Sequence, residues 1–172
     1  MSFQEQLQKG QVGESYIAQW LLSRNFNVLP VYEVEENTGK GPRLFSPKEK
    51  LIAPDMLAFN DGKTLWIEAK HKEAFSMHRK TGRWVTGIDI RHYEDYCKVA
   101  DTTPYKVWLL FLQRGGHAKD SPESSPSGLY GNELGRLRQH ENHRHWNWGS
   151  SGMVYWAKES LIKLATLEEI VA

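Results

Sequence analysis

The hydrophobic residues of the chain begin with a helical pattern and continue with strand-like patterns. Between residues 4 and 24, Val12, Tyr16 and Trp20 recur at a spacing of four, which predicts an α-helix. Residues 26–34 alternate weakly and are rich in strand-forming types, which predicts a β-strand. The first part of the chain is therefore predicted to be a helix followed by a strand.

A β-hairpin is predicted around the pair Asp61-Gly62, which lies between two apolar runs. Asp-Gly favours a two-residue type I′ turn, because that turn needs positive φ angles. With these two residues as the loop, Asp55 lies opposite Glu68, and like charges placed there destabilise a strand pair. Lys70 follows Glu68 on the same face, since alternate residues of a strand share a face.

Beyond the hairpin, the pattern predicts a second helix and two more strands. The helix is expected to begin at Asp89, a favourable N-cap, and to end before Pro104. Residues 105–112, YKVWLLFL, are apolar almost throughout, as in a strand that is covered on both faces. Residues 153–156 resume an apolar strand, and the C-terminal residues predict a short helix or a strand with a tail.

Three polar segments are predicted to be loops: residues 35–50, 71–86 and 115–151. The second segment is basic and is expected to be mobile. The third is expected to be an irregular insertion, and loops of that length usually carry function or are disordered. The order of elements predicts an α/β fold, in which a central mixed sheet is flanked by helices in one domain over residues 1–172.

Length and composition restrict the class of protein. At 172 residues the chain suits one domain with its own core, and its single cysteine, Cys97, excludes an internal disulfide and fits a reducing compartment. The N-terminus is polar, and no apolar run approaches the ~18 residues of a membrane span. We therefore expect a cytoplasmic protein that does not contact membranes. The net charge of +1 gives no reason by itself to expect nucleic acid.

Positive charge is concentrated in one stretch of the chain. Between Lys70 and Arg91 there are six Lys or Arg residues and two acids, Glu73 and Asp89. Such a segment can follow the phosphates of a nucleic acid. The residues that we predict to bind DNA are Lys72, Arg79, Lys80, Arg83 and Arg91.

The acids of the hairpin have two interpretations. Glu68 follows the apolar run TLWI, and a buried charge needs a partner. A structural ion triad of Asp55, Glu68 and Lys70 is one interpretation, since such networks occur without any function. A divalent cation between the opposed carboxylates explains more, and hard oxygen ligands of this kind suit Mg²⁺ or Mn²⁺.

Glu14 offers a third carboxylate. It lies three, four and seven residues from Ile17, Ala18 and Leu21, on or at the border of the apolar face of the first helix. A solvated glutamate belongs on the opposite side of such a helix. A position at the rim is the alternative, but placed toward the hairpin Glu14 would reach the same cation.

These residues resemble the signature of the PD-(D/E)XK nuclease superfamily. Pro54-Asp55 and Glu68-Ala69-Lys70 match its P-D and E-x-K on a hairpin. The run KGQVGESYIAQWLLSRNFNVL is similar to the glutamate-bearing first helix and following strand of its Holliday-junction-resolvase and restriction-endonuclease-like members. The resemblance covers about the first 112 residues in element order, and the segment 115–151 has no counterpart that we can assign.

The resemblance implies a magnesium-dependent nuclease with a restriction-endonuclease-like α/β core. Glu14, Asp55, Glu68 and the carbonyl of Ala69 would hold Mg²⁺, with Glu14 joining directly or through water, and Mn²⁺ would substitute for it. Lys70 would position or activate the attacking water, so that the catalytic residues are Asp55, Glu68, Lys70 and Glu14. We expect a DNA endonuclease, with homodimer formation left open. The alternative is a non-catalytic nucleic-acid-binding or assembly module on the same fold.

A histidine-rich run and nearby tryptophans suggest two further sites. A zinc site is disfavoured, because the histidine spacing fits no standard zinc finger, and a DNA-facing loop is favoured instead. The histidines are His117, His140, His143 and His145. Base stacking by tryptophans is as consistent with the pattern as ordinary packing. The tryptophans are Trp84, Trp146 and Trp148.

Overall fold

A computed structural model describes residues 3–31, 41–117, 121–122 and 124–171, without the side chains of residues 3–10 and 171. These residues form α-helices, a short 3₁₀ turn and three β-sheets. The helices are α1 (Phe3–Ser23), α2 (Ile90–Thr102), α3 (Leu134–Leu137) and α4 (Leu167–Val171).

The largest sheet has six strands and forms the centre of the fold. Its strands are β1 (Asn27–Pro30), β4 (Met56–Asn60), β5 (Lys63–Lys72), β8 (Lys106–Gln113), β9 (Gly128–Glu133) and β12 (Ile162–Ala165), and they lie side by side in this order. Only β5 and β8 pair in parallel, while their neighbours pair antiparallel. The predicted α/β fold with a central mixed sheet and flanking helices is confirmed.

A second sheet and a small hairpin pack beside the central sheet. The second sheet contains β6 (Ser76–His78), β7 (Arg83–Asp89), β10 (Glu141–His145) and β11 (Met153–Ala157), in the order β10-β11-β7-β6 with every pair antiparallel. The hairpin consists of β2 (Arg43–Phe45) and β3 (Lys50–Ile52).

The two faces of the central sheet are covered differently. Ile17 and Leu21 of α1 pack on one face, against Ile67 and Ala69 of β5. Tyr96 and the other buried residues of α2 pack on the opposite face together with the second sheet. Because residues of a strand alternate between faces, Glu68 points to the α2 side of the sheet, as Trp66 does.

Several local predictions are confirmed. The hairpin has the register that an Asp61-Gly62 loop requires, with Leu57 paired with Trp66. Helix α2 begins after Asp89, whose side chain accepts a hydrogen bond from the backbone N–H of Arg91 at 3.1 Å. The predicted strands at residues 105–112 and 153–156 correspond to β8 and β11, and the C-terminus contains both a short strand and a short helix.

The predicted loops were largely wrong. Residues 71–86 include the end of β5, all of β6 and the start of β7, and the segment 115–151 contains β9, α3 and β10, with residues 118–120 and 123 outside the described part. The reason is tertiary pairing, since β7 gains its partner β11 from a distant part of the sequence. In the segment 35–50, β2 occupies Arg43–Phe45, and residues 32–40 lie outside the described part. The assignment of one domain stays a prediction.

In the described part of the chain, no helix is both long enough and apolar enough to cross a membrane. Cytoplasmic location stays a prediction.

The contact between α1 and β5 depends on Gly13. A Cβ atom at this position would lie 2.5 Å from the Cβ of His71, and that atom cannot move without its strand. Glycine therefore allows the close helix–strand contact that precedes Glu14.

We expect Gly13→Ala to destabilise the protein although alanine is the better helix former. The gain in helix propensity is about 1 kcal/mol, whereas forced overpacking typically costs about 1–3 kcal/mol. Chemical denaturation should show a lower free energy of unfolding, while Ser15→Ala, at an exposed position of the same helix, should show no loss. A Gly13→Ala variant as stable as the Ser15→Ala variant would contradict the close contact.

Candidate active site

A pocket of about 410 Å³ lies where the β4–β5 hairpin meets α2. Asp55, Glu68 and Lys70 contribute to its wall, as predicted from the strand register. The wall also includes Arg43, Arg91, His92, Tyr96 and Ser150. The structure thus brings the hairpin residues of the signature together in one pocket.

Asp55 is fixed where β4 begins. Its carboxylate Oδ2 accepts a hydrogen bond from the backbone N–H of Ala69 at 2.8 Å, and its carbonyl accepts one from Val31 at 2.9 Å. The pairing of β4 with β5 stops at Met56 and Ile67, one residue before the predicted opposition of Asp55 and Glu68. The next hydrogen-bonded position opposite Ala69 would be Pro54, which has no N–H to donate. The Ala69 carbonyl therefore receives no ladder hydrogen bond from Pro54.

Glu68 is completely buried, with 0% of its surface exposed. One of its carboxylate oxygens contacts the ammonium group of Lys70, and the Tyr96 hydroxyl lies close enough to interact with the same carboxylate. Burial, followed by the charge of Asp55, raises the pKa of Glu68 to about 8, against the lowering effect of Lys70. Burial and the charge of Glu68 also raise the pKa of Tyr96, so this hydroxyl stays protonated.

The pKa values of Lys70 and Lys72, both on β5, are shifted in opposite directions. Burial lowers the pKa of Lys70, but Glu68 and Asp55 outweigh it and raise the pKa above the ordinary range for lysine. Lys70 therefore carries its positive charge inside the pocket. Lys72 is partly buried, and burial together with the charge of Lys70 lowers its pKa to about 8.

Glu14 reaches the same group of charges from α1. Burial and then the charge of Asp55 raise the pKa of Glu14 to about 7, while Lys70 lowers it. Glu14 thus lies close enough to Asp55 and Lys70 to interact with both. Asp55 lies one residue before the start of β4 at Met56, at the end of the strand.

The carboxylates of Glu14, Asp55 and Glu68 and the carbonyl of Ala69 are oxygen ligands of the type that suits a hard divalent cation. In their present positions these groups do not form a complete binding site. Among the described residues, no three His, Cys, Asp or Glu side chains are grouped closely enough to hold a metal ion. However, the buried Glu68 interacts with a second carboxylate, Asp55, whose charge raises the pKa of Glu68, and a cation bound between the two would relieve this repulsion. Carboxylate and carbonyl oxygens are the ligands that Mg²⁺ prefers. The ligand set of Glu14, Asp55, Glu68 and Ala69 stays a prediction.

The predicted DNA-binding residues lie in two places. Lys72 follows Lys70 along β5, and the exposed Arg91 lines the pocket at the start of α2. Arg79 and Lys80 lie in the exposed turn between β6 and β7, where they line a separate groove. Arg83 is exposed at the start of β7. The basic stretch from Lys70 to Arg91 therefore does not form one continuous surface beside β5.

Sequence reasoning missed His92, Tyr96 and Ser150 as residues of the pocket. His92 and Tyr96 are four residues apart and so share one face of α2, a signal that was available. Burial and the charge of Lys70 lower the pKa of His92. Ser150 had no local signal, because its position depends on the turn between β10 and β11.

The histidine run forms ring stacks. The ring of His143 stacks on His78 at 3.9 Å and on Tyr155 at 4.6 Å, measured between centroids. No metal-binding group of three or more His, Cys, Asp and Glu residues, the run included, occurs in the described ranges. Trp84 packs against the core, whereas Trp146 and Trp148 are exposed.

Comparison with known proteins identifies a fold but no family. Neither the protein-family models nor the curated proteins include a match to this chain. The solved structure of Hjc from Archaeoglobus fulgidus, a Holliday junction resolvase from an archaeal hyperthermophile, is similar with a TM-score of 0.50. The sequence identity is 12%, over 88% of this chain and 90% of that chain. The likeness supports the restriction-endonuclease-like fold.

The raised carboxylate pKa values predict how stability depends on pH without metal. Glu14 and Glu68 have an ordinary value of 4.5, but in the folded protein they ionise near pH 7 and pH 8. The folded state therefore retains protons that the unfolded state has lost, and its stability falls as the pH rises from about 4.5 towards 8. We expect the melting temperature in EDTA to fall less steeply over this range in a Glu14→Gln/Glu68→Gln variant.

Glu159→Gln provides the control, since Glu159 is exposed and lies outside the pocket. Its melting temperature should follow that of the unchanged protein across the pH range. If the double variant also follows the unchanged protein, the two carboxylates are not held protonated by the fold.

Proposed function

We propose that the protein is a metal-dependent nuclease that hydrolyses phosphodiester bonds of DNA as an endonuclease. The observation that carries the proposal is the meeting of Asp55, Glu68 and Lys70 in one pocket, with Glu14 electrostatically coupled to it. Burying one carboxylate beside another is unfavourable for stability even with Lys70 in contact, which favours a functional role for Glu68. The similarity in fold to a Holliday junction resolvase supports DNA as the substrate.

Asp55, Glu68, the Ala69 carbonyl and Glu14 would hold Mg²⁺, or Mn²⁺ in its place. The ion would supply positive charge to the phosphate and lower the pKa of a water molecule. Asp55 is already oriented by the backbone N–H of Ala69, so little reorganisation is needed on this side of the site. The missing N–H of Pro54 leaves the Ala69 carbonyl free to act as a ligand.

Lys70 would act on the phosphate and on the attacking water. Its raised pKa keeps it protonated, so it adds positive charge where negative charge develops in the transition state. As a hydrogen-bond donor it can also orient the water for attack. Arg91 and Lys72 extend positive charge from the pocket and would contact neighbouring phosphates.

The non-catalytic alternative has one observation in its favour. Lys70 already contacts Glu68, so the charges could serve as a structural ion pair on a nucleic-acid-binding module. The two functions are separated by a cleavage panel with Mg²⁺ or Mn²⁺ over linear, nicked, flapped, four-way and single-stranded DNA and covalently closed circles. An endonuclease opens the closed circles, whereas a binding module cleaves none of these substrates.

We expect Asp55→Asn, Glu68→Gln and Lys70→Ala each to lower the cleavage rate by at least about a hundredfold, the usual contribution of a positioned catalytic group. The folds of the two acid variants should persist, since removing one of two nearby like charges relieves repulsion in the metal-free protein. Initial rates on the best substrate of the panel and melting temperatures in EDTA measure both effects.

Lys63→Ala is the matched control for these variants, because Lys63 is exposed on the same strand and lies outside the pocket. Its cleavage rate should remain within about twofold of the unchanged protein. A large fall in the melting temperature of the acid variants without metal would favour the structural ion pair instead.

We expect the triple variant Arg79→Ala/Lys80→Ala/Arg83→Ala to bind DNA more weakly and with less dependence on salt. Each phosphate contact contributes a slope of roughly −0.9 in log affinity against log salt concentration, so the slope should flatten by up to about three units. Binding to duplex DNA, with Ca²⁺ replacing Mg²⁺ to prevent turnover, measures the slope.

A control triple variant removes equal charge at exposed positions outside this segment, with Lys48→Ala, Lys63→Ala and Arg136→Ala. If both triple variants flatten the slope equally, the effect reflects net charge and the β6–β7 turn does not contact phosphates.

A further inference from the structure

Two tryptophans are exposed to solvent at the turn between β10 and β11. Trp146 has 66% of its surface exposed and Trp148 has 47%, whereas Trp66 and Trp156 have 7% and 0%. Large aromatic side chains usually bury most of their surface, so two exposed rings separated by one residue indicate a binding surface.

The ring of Trp146 makes a cation–π interaction with a neighbouring arginine. The guanidinium of Arg144 lies 5.8 Å from the centroid of this ring, within the range of a cation–π interaction. Arg144 is itself fixed by Glu141, to which its Nε donates at 2.8 Å and its Nη2 donates at 3.0 Å. The ring is therefore oriented before any ligand binds, which reduces the entropy lost on binding.

Trp148 borders a basic groove of about 340 Å³. Arg79 and Lys80 also line this groove, and the stacked rings of His78 and His143 form part of its wall. None of the residues that line this groove is Asp or Glu. The groove therefore suits a ligand that combines flat rings with negative charge.

The same turn also borders the candidate active site. Ser150 lines that pocket and donates a hydrogen bond to Asp89 at 3.0 Å, while the carbonyl of Gly152 accepts one from Ile90 at 2.9 Å. These bonds attach the turn to the start of α2. A polymer that leaves the pocket can thus continue over Trp148 into the groove.

We propose that the Trp146–Trp148 turn and the basic groove bind unpaired bases of a single-stranded DNA segment next to the scissile phosphate. In a duplex the base faces stack on one another, so exposed aromatic rings beside Lys and Arg are suited to single strands. The substrate is then DNA with a single-stranded portion, such as a flap, fork or open junction. This substrate assignment rests on the proposed nuclease function.

The binding test uses a labelled dT oligonucleotide of about 16 nucleotides and a duplex of equal length, measured by fluorescence anisotropy with Ca²⁺. Stacking on one aromatic ring corresponds to an affinity change of about five- to a hundredfold. We expect Trp146→Ala/Trp148→Ala to weaken dT binding by at least about fivefold and to change duplex binding by less than about twofold. Trp148→Phe, which keeps a ring, should retain more dT affinity than Trp148→Ala.

Tyr105→Ala is the matched control, since Tyr105 is an exposed aromatic residue with 40% of its surface in solvent and lies outside the groove. It should bind dT like the unchanged protein. Equal loss of dT and duplex binding in the double tryptophan variant, unchanged dT binding in that variant, or no dT binding by the unchanged protein would each overturn the inference.

A cleavage assay distinguishes failure of this inference from failure of the proposed function. If the unchanged protein cleaves DNA and the double tryptophan variant keeps the same preference between flapped and duplex substrates, the inference fails and the nuclease function stands. If nothing is cleaved but dT binding is lost in the double variant, the surface still binds single strands and the nuclease function fails.

Discussion

The burial of a glutamate carboxyl group at the centre of a sheet is the constraint on which this structure depends. Glu68 has no exposed surface, and its nearest charged neighbours are the carboxylate of Asp55 and the ammonium of Lys70. A buried carboxylate is tolerated only when it is protonated or paired, or when it binds a cation. Burial and the charge of Asp55 raise the pKa values of Glu68 and Glu14, so ionising either group in the metal-free fold lowers its stability, and a bound cation would offset that loss.

The surrounding elements each contribute to this site in a different way. Pro54 and the start of β4 at Met56 end the ladder beside β5, which leaves an opening that Glu14 approaches from the α1 side. Gly13 permits the close helix contact that this approach requires. On the other face, α2 presents His92 and Tyr96 to the pocket. The site is therefore formed at the junction of both layers of the fold.

The second sheet extends the candidate site beyond the residues that we propose to be catalytic. Because β7 continues directly into α2, the side chain of Asp89 both caps the helix and accepts hydrogen bonds from the β10–β11 turn. This connection places exposed aromatic rings and a groove without acids beside the pocket. The separation of catalytic chemistry in the central sheet from recognition on an attached turn is common, since loops on a rigid scaffold can vary without disturbing the core.

Local chemistry allowed the sequence alone to determine the hairpin register, the Asp89 cap, the apolar strand β8 and the convergence of Asp55, Glu68 and Lys70. Each of these depends on residues that are near in sequence or on a turn with one favoured geometry. The second sheet, the ring stacks and the position of Ser150 were decided by tertiary structure. Strands β7 and β11 pair across a long sequence separation, and their polar neighbours β6 and β10 give no clear alternation, so a strand and a loop look alike until the partner strand is known.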